Sequence, residues 1–85
     1  MAFVLLWLDK YSEYQANDLY ISGESYAGIY TPYLANQIYD HNEKASEDAL
    51  KPNLKGFMVG NGVTNWKFDT YPAFIEMAYW HSLAS

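Results

Sequence analysis

Residues 19–28, Leu-Tyr-Ile-Ser-Gly-Glu-Ser-Tyr-Ala-Gly, decide the fold of this chain. Leu19 to Ser22 is a short apolar run rich in strand-forming residues, and the turn Gly23 to Gly28 follows it and carries Ser25. A serine on a strained turn between a strand and a helix is typical of a nucleophile elbow, which exposes the hydroxyl above a parallel sheet. The stretch therefore predicts a reaction class, the attack of a serine hydroxyl on an acyl carbon.

The segments around this turn alternate between helix and strand. The predicted helices run from Ala2 to about Tyr14, from the cap Thr31-Pro32 to about His41, and from Pro72 to about His81. The first has apolar residues around nearly its whole circumference, which predicts a helix buried on most sides. A second apolar strand is predicted from Leu54 to Gly60, between a polar surface loop and an Asn61-Gly62 turn. A strand–helix–strand unit of this kind is normally right-handed with parallel strands, so the predicted fold class is α/β.

The composition predicts a partial domain. The chain has 85 residues and is 51% hydrophobic and 19% aromatic, which is far too apolar for a disordered segment. A domain of this size buries only about 60% of its unfolded surface. Parallel strands are usually covered on both faces and flanked by further strands. We therefore expect residues 1–85 to be a single partial domain with more protein around it.

Charge and cysteine content argue against several classes of function. A net charge of −5 with only five Lys plus Arg is unfavourable for binding nucleic acid. Without cysteine there are no disulfides or thiolate metal sites, and no metal-ligand spacing or phosphate-binding glycine loop occurs. We expect no cofactor and no metal. The apolar run Ala2–Leu8 is too short to span a bilayer and a weak signal peptide, so no membrane partner is expected.

The elbow and its flanks resemble a known family. The residues Gly23-Glu24-Ser25-Tyr26-Ala27-Gly28, followed by Tyr30, Pro32 and Leu34-Ala35, are similar to the serine carboxypeptidase signature. The resemblance extends upstream through residues 3–14 and the strand Leu19-Tyr20-Ile21. Downstream it extends through Asn53-Leu54-Lys55-Gly56 and Gly60-Asn61-Gly62-Val63-Thr64, and so it covers nearly the whole chain. Ile29 and Thr31 are minor departures, since many members have histidine and valine there.

This resemblance implies an α/β-hydrolase fold and the removal of single residues from the C-termini of peptide or protein substrates. It implies Ser25 as the nucleophile and the Tyr26 backbone N–H as an oxyanion donor, which also agrees with the elbow geometry. It implies that Glu24 binds the terminal carboxylate of the substrate. Two carboxyl groups sit together when they share a proton, so such recognition favours acidic pH. The resemblance implies a vacuolar, lysosomal or secreted setting, which is in keeping with that pH.

The resemblance also implies a triad whose Asp and His lie far downstream of the serine. His41 is 16 residues from Ser25 in the same helical stretch, which places it up to about 24 Å away. We therefore expect it to be a surface residue. His81 has no catalytic role in the resemblance, while Asp69 is expected in a loop or cap role and Asp18 in a turn. We therefore predict that the chain alone has no appreciable peptidase activity.

Two alternatives remain open from the residues. One is another α/β hydrolase, an esterase or acyltransferase, in which Glu24 would have no carboxylate partner. The other is a non-catalytic truncated product or interaction module whose strand edges pair with a partner. The tyrosines near the elbow are expected to serve packing rather than substrate contact; they are Tyr30, Tyr33 and Tyr39. The oligomeric state and the preferred C-terminal residue do not follow from the sequence.

Overall fold

The computed structural model describes all of residues 1–85 as an α/β arrangement, which agrees with the predicted class. Its helices are α1 (Ala2–Lys10), α2 (Ala27–Lys44), α3 (Trp66–Asp69) and α4 (Tyr71–Trp80), and a short 3-10 turn covers Ser12–Tyr14. Its strands are β1 (Leu19–Glu24) and β2 (Leu54–Gly60).

The two strands form a parallel sheet, as predicted for a strand–helix–strand unit. The pairing runs from Leu19 beside Leu54 to Glu24 beside Gly60, with one irregularity after Leu19. A hydrogen bond connects the residues that precede the two strands: the carboxylate of Asp18 accepts it from the side-chain amide of Asn53 at 2.9 Å. This register places the end of β2 directly beside the elbow.

The core lies between α2 and the sheet. Four residues of α2 at helical spacing are buried, and they are Gly28, Thr31, Ala35 and Ile38. The first three are small, so the helix lies close to the strands. Ile38 is fully buried, and burial of such a side chain stabilises the fold by about 1.5–3 kcal/mol.

The predicted start of α2 at Thr31-Pro32 is wrong. The helix begins at Ala27, directly after the elbow, so Thr31 is a buried interior residue and Pro32 lies inside the helix. The elbow carbonyls begin the helix instead, since Gly28 N donates to Ser25 O at 3.1 Å and Ile29 N donates to Tyr26 O at 3.0 Å. Pro32 has no N–H for the carbonyl four residues earlier, and the helix continues through it with that one bond missing.

Other boundaries also differ from the sequence predictions. The first helix ends at Lys10, before the 3-10 turn, and β1 continues to Glu24 rather than ending at Ser22. α2 extends to Lys44, and α4 begins at Tyr71. The four-residue helix α3 was not predicted at all. None of the helices combines the length and the apolar character that crossing a bilayer requires.

The molecule is elongated and exposes much of its apolar surface. Its radius of gyration is 18.1 Å, whereas a compact domain of this length has about 12 Å. Only six of the 85 residues are buried. The first helix was expected to be buried on most sides, yet Leu8 is its only buried residue and Phe3 is 76% exposed. The helix α4 contacts only α3 and buries none of its residues.

The expected packing of the tyrosines is only partly formed within this chain. Tyr33 and Tyr39 are 67% and 60% exposed, and Tyr30 is 60% exposed with its ring beside that of Tyr26. Exposed apolar surface of this extent is typical of a surface that other protein covers.

We predict that the 85-residue chain self-associates when it is expressed alone, because its exposed apolar side chains have no partner. Size-exclusion chromatography with light scattering should show species larger than the monomer, and the dye ANS should bind strongly. A monodisperse monomer with a cooperative thermal transition would contradict this expectation.

Candidate active site

Ser25 lies between the end of β1 and the start of α2 in a strained backbone conformation. Its φ is 60°, in the left-handed region that non-glycine residues rarely adopt. Such a conformation costs about 1–3 kcal/mol and persists only where surrounding contacts impose it. Here Ser25 N donates to Gly60 O at 3.1 Å, and Val63 N donates to Ser25 O at 2.8 Å. The end of β2 and the loop after it therefore hold the serine backbone on both sides.

The glycines around Ser25 are required by close approach of the backbone. A Cβ at Gly28 would lie 2.7 Å from the carbonyl carbon and 2.9 Å from the nitrogen of Val63. A Cβ at Gly23 would overlap the Cβ of Ala27 and lie 2.9 Å from the hydroxyl of Thr31. The small residues of the sequence motif thus allow strand, helix and the loop at Val63 to meet at one point.

The three residues predicted for the site are brought together at the carboxyl end of the sheet. The Ser25 side chain is exposed and makes no hydrogen bond. Glu24, the residue before it, is also exposed and forms no ion pair. The backbone N–H of Tyr26 donates to no acceptor in the chain and lies at the N-terminus of α2, where the helix dipole favours negative charge. The arrangement offers a hydroxyl, an adjacent unsatisfied N–H donor and a carboxylate.

Neither histidine approaches Ser25. His41 lies in the last turn of α2, about 21 Å along the helix from its first residue, and its Nε2 is 3.0 Å from Leu50 O. It is half-buried rather than a free surface residue. His81 follows α4, and its Nδ1 is 2.8 Å from Met77 O. The chain therefore brings no histidine to the serine hydroxyl.

The sequence did not predict the hydrogen bonds that order the loop after β2. Asp69 accepts three hydrogen bonds of 2.8 Å, from the Thr64 hydroxyl and from the backbone N–H groups of Thr64 and Asn65. These bonds, that from the Thr64 hydroxyl first, hold the pKa of Asp69 below its ordinary value. Asp69 is the last residue of α3 and binds the loop residues Thr64 and Asn65, which agrees with the expected loop or cap role. Asn65 caps α3, since its side chain accepts a hydrogen bond from Lys67 N. Asparagine is a preferred N-cap residue, so Asn65 was the signal in the sequence for the start of this short helix.

An aromatic cluster joins this loop to the elbow. The ring centroid of Tyr26 lies 4.8 Å from that of Tyr30 and 5.5 Å from that of Trp66. Trp66 is the first residue of α3, so the short helix contacts the residue that follows the serine.

Comparison with known proteins agrees with this geometry. The sequence profile of the family described as serine carboxypeptidase matches residues 1–85. The chain belongs to the serine carboxypeptidase family. Serine carboxypeptidase-like 35 of Arabidopsis thaliana is 45% identical to it over 85 residues, which is 100% of this chain and 17% of that protein. Serine carboxypeptidase-like 20 of the same plant is 45% identical over 84 residues, 99% of this chain and 16% of that protein.

Fungal carboxypeptidases are also similar to it. The pheromone-processing carboxypeptidase KEX1 of Podospora anserina is 39% identical over 79 residues, covering 93% of this chain and 13% of that protein. The chain thus spans about a sixth of the length of the curated relatives it matches.

In this serine carboxypeptidase chain, we predict that Gly28→Ala destabilises the fold by about 1–3 kcal/mol, because the added methyl group would overlap backbone atoms of Val63. Urea denaturation of the longest protein that the gene encodes measures the change. The matched control is Gly60→Ala, since a Cβ at Gly60 meets nothing within 4 Å. Equal effects of the two substitutions would argue against the close contact at Gly28.

Proposed function

We propose that residues 1–85 form the nucleophile-bearing part of a serine-type carboxypeptidase with an α/β-hydrolase fold. The observation that carries the proposal is Ser25 at φ 60° between a parallel strand and a helix, beside the unpaired N–H of Tyr26. Membership of the serine carboxypeptidase family and the parallel pairing of β1 with β2 support it.

In the proposed reaction, Ser25 Oγ attacks the carbonyl carbon of the last peptide bond and its proton passes to a general base outside these residues. The tetrahedral oxyanion accepts a hydrogen bond from Tyr26 N–H, with a second donor supplied from elsewhere in the protein. The base returns the proton to the leaving amine of the C-terminal residue. Water then hydrolyses the ester on Ser25 and releases the shortened peptide.

Glu24 is the proposed receptor of the substrate's terminal carboxyl group. It is exposed at the end of β1, adjacent to Ser25, and no cation of the chain pairs with it. A carboxylate receives a second carboxyl group when the two share a proton, so substrate binding should strengthen as the medium becomes acidic. An acidic compartment, vacuolar, lysosomal or extracellular, is the proposed setting.

We predict that the purified 85-residue chain does not hydrolyse a C-terminal dipeptide substrate, because it lacks a base near Ser25. The longest protein encoded by the gene should hydrolyse it and should be labelled at Ser25 by a fluorophosphonate probe. Ser25→Ala should abolish both. Ser25-dependent turnover by the isolated chain, or no labelling of the longer protein, would overturn the proposal.

We also predict that Glu24→Gln removes the pH dependence of KM for free-acid peptides between about pH 4 and 7, since an amide donates to the substrate carboxylate without a shared proton. Steady-state kinetics on matched free-acid and C-terminally esterified peptides measures this. Glu47→Gln is the control, because Glu47 is exposed and makes no contact with the elbow.

The same kinetics separate the alternatives. If Glu24→Gln leaves the profile of free-acid substrates unchanged while esters are cleaved equally well, an esterase or acyltransferase explains the site better. If neither substrate class is cleaved by the longer protein, the chain belongs to a non-catalytic interaction module.

A further inference from the structure

We propose that Asp69 is a positioning residue for Ser25, which it holds in the reactive elbow conformation through residues 63–65. The inference rests on the proposed function, since it assigns a residue to the same reaction. It concerns a side chain that lies on α3, outside the elbow motif, and that makes no contact with the serine itself.

The first step is the connection between Val63 and the elbow. Val63 N donates to Ser25 O at 2.8 Å, and the Val63 backbone fills the space in which a Cβ of Gly28 would stand. A residue at φ 60° keeps that conformation only while such contacts impose it. The position of Val63 therefore decides how firmly the serine is held.

The second step is the connection between Val63 and Asp69. The next two residues, Thr64 and Asn65, are both bound by Asp69 Oδ2, through three hydrogen bonds of 2.8 Å. Asp69 N in turn donates to Asn65 O at 2.8 Å, which closes a ring of bonds between the loop and α3. Hydrogen bonds to an ionised carboxylate are stronger than bonds between neutral groups, so this ring is a firm support.

The third step is an independent contact on the other side of the serine. Asn65 caps α3 at its start, and the Trp66 ring that follows lies 5.5 Å from the ring of Tyr26. Tyr26 carries the proposed oxyanion donor. Asp69 thus organises a short unit that contacts Ser25 through Val63 and Tyr26 through Trp66.

The lowered pKa of Asp69 gives this support a defined pH range. Because the folded-state pKa lies below that of the free carboxyl group, the stabilisation is fully present above the ordinary carboxyl range near pH 4 and is lost only as the pH falls through the lowered value. The support therefore persists at the mildly acidic pH that favours carboxylate-to-carboxyl recognition.

The test uses the longest protein that the gene encodes, with active sites counted by fluorophosphonate titration of Ser25. Asp69→Ala should lower kcat per titrated site by about 10- to 100-fold with KM changed less than twofold, because misplacing a nucleophile by a fraction of an ångström slows the chemical step. Asp69→Asn keeps a neutral acceptor, and its kcat per titrated site should fall about threefold. Thr64→Val removes one of the three hydrogen bonds, and its kcat per titrated site should fall about two- to threefold.

The control is Asp48→Ala, since Asp48 is exposed and forms no hydrogen bond. A merely structural role predicts a different result, in which fewer sites titrate but each retains the wild-type kcat. That result, or wild-type labelling and turnover in Asp69→Asn and Thr64→Val, would overturn the inference and leave the proposed function intact. If Asp69→Ala does not fold, these two conservative variants decide the question. Failure of the wild-type protein to label at Ser25 overturns both proposals.

Discussion

The structure depends on one constraint, the left-handed backbone of Ser25, and on the two hydrogen bonds that impose it. Without these bonds the Ser25 backbone would leave φ 60°, because the side chain of a non-glycine residue disfavours that region. Gly60 O accepts from Ser25 N only because β2 runs parallel to β1 in a register that ends at the elbow. Val63 N reaches Ser25 O only because the chain turns immediately after β2. The sheet and the loop after β2 thus hold Ser25 in its strained conformation together.

The same constraint explains why α2 begins where it does. Thr31-Pro32 is a good local signal for a helix start, since threonine caps and proline suits the first turn. The elbow overrides that signal, because the carbonyls of Ser25 and Tyr26 already accept the first helical bonds. Thr31 is then needed for a different purpose, as a small buried residue that lets α2 lie against β1 near Gly23. A residue type that predicts a boundary in isolation here serves packing in the interior of the helix.

The parts of the fold that the sequence predicts are those governed by local chemistry. Leu54–Gly60 and the turn at Ser25 follow from apolar runs bounded by glycine, and the closeness of Glu24, Ser25 and Tyr26 follows from adjacency in the chain. The contact by which Val63 supports Ser25 does not follow from local sequence, because it depends on a parallel pairing between segments far apart in the chain. Helix α3 was missed for a related reason, since four residues give no periodicity and its stability comes from the bonds around Asp69. Burial was misjudged in α1, where an apolar sequence indicates a buried helix without indicating what covers it.

The distribution of buried residues bears on which parts of the proposed reaction this segment supports by itself. Five of the six buried residues lie between Gly28 and Pro52, within the unit formed by β1, α2 and β2, while α4 buries none. The elbow is therefore held by the part of the chain that makes its own core. Proton transfer needs a base about 3 Å from the hydroxyl, and both histidines are bound to carbonyl groups elsewhere. In the proposed reaction, the preorganisation of Ser25 is local to this segment, and its activation depends on a base from elsewhere in the protein. The proposed reaction divides in this way because the strained serine requires short-range backbone contacts, whereas a general base requires only that its side chain reach the hydroxyl from any part of the fold.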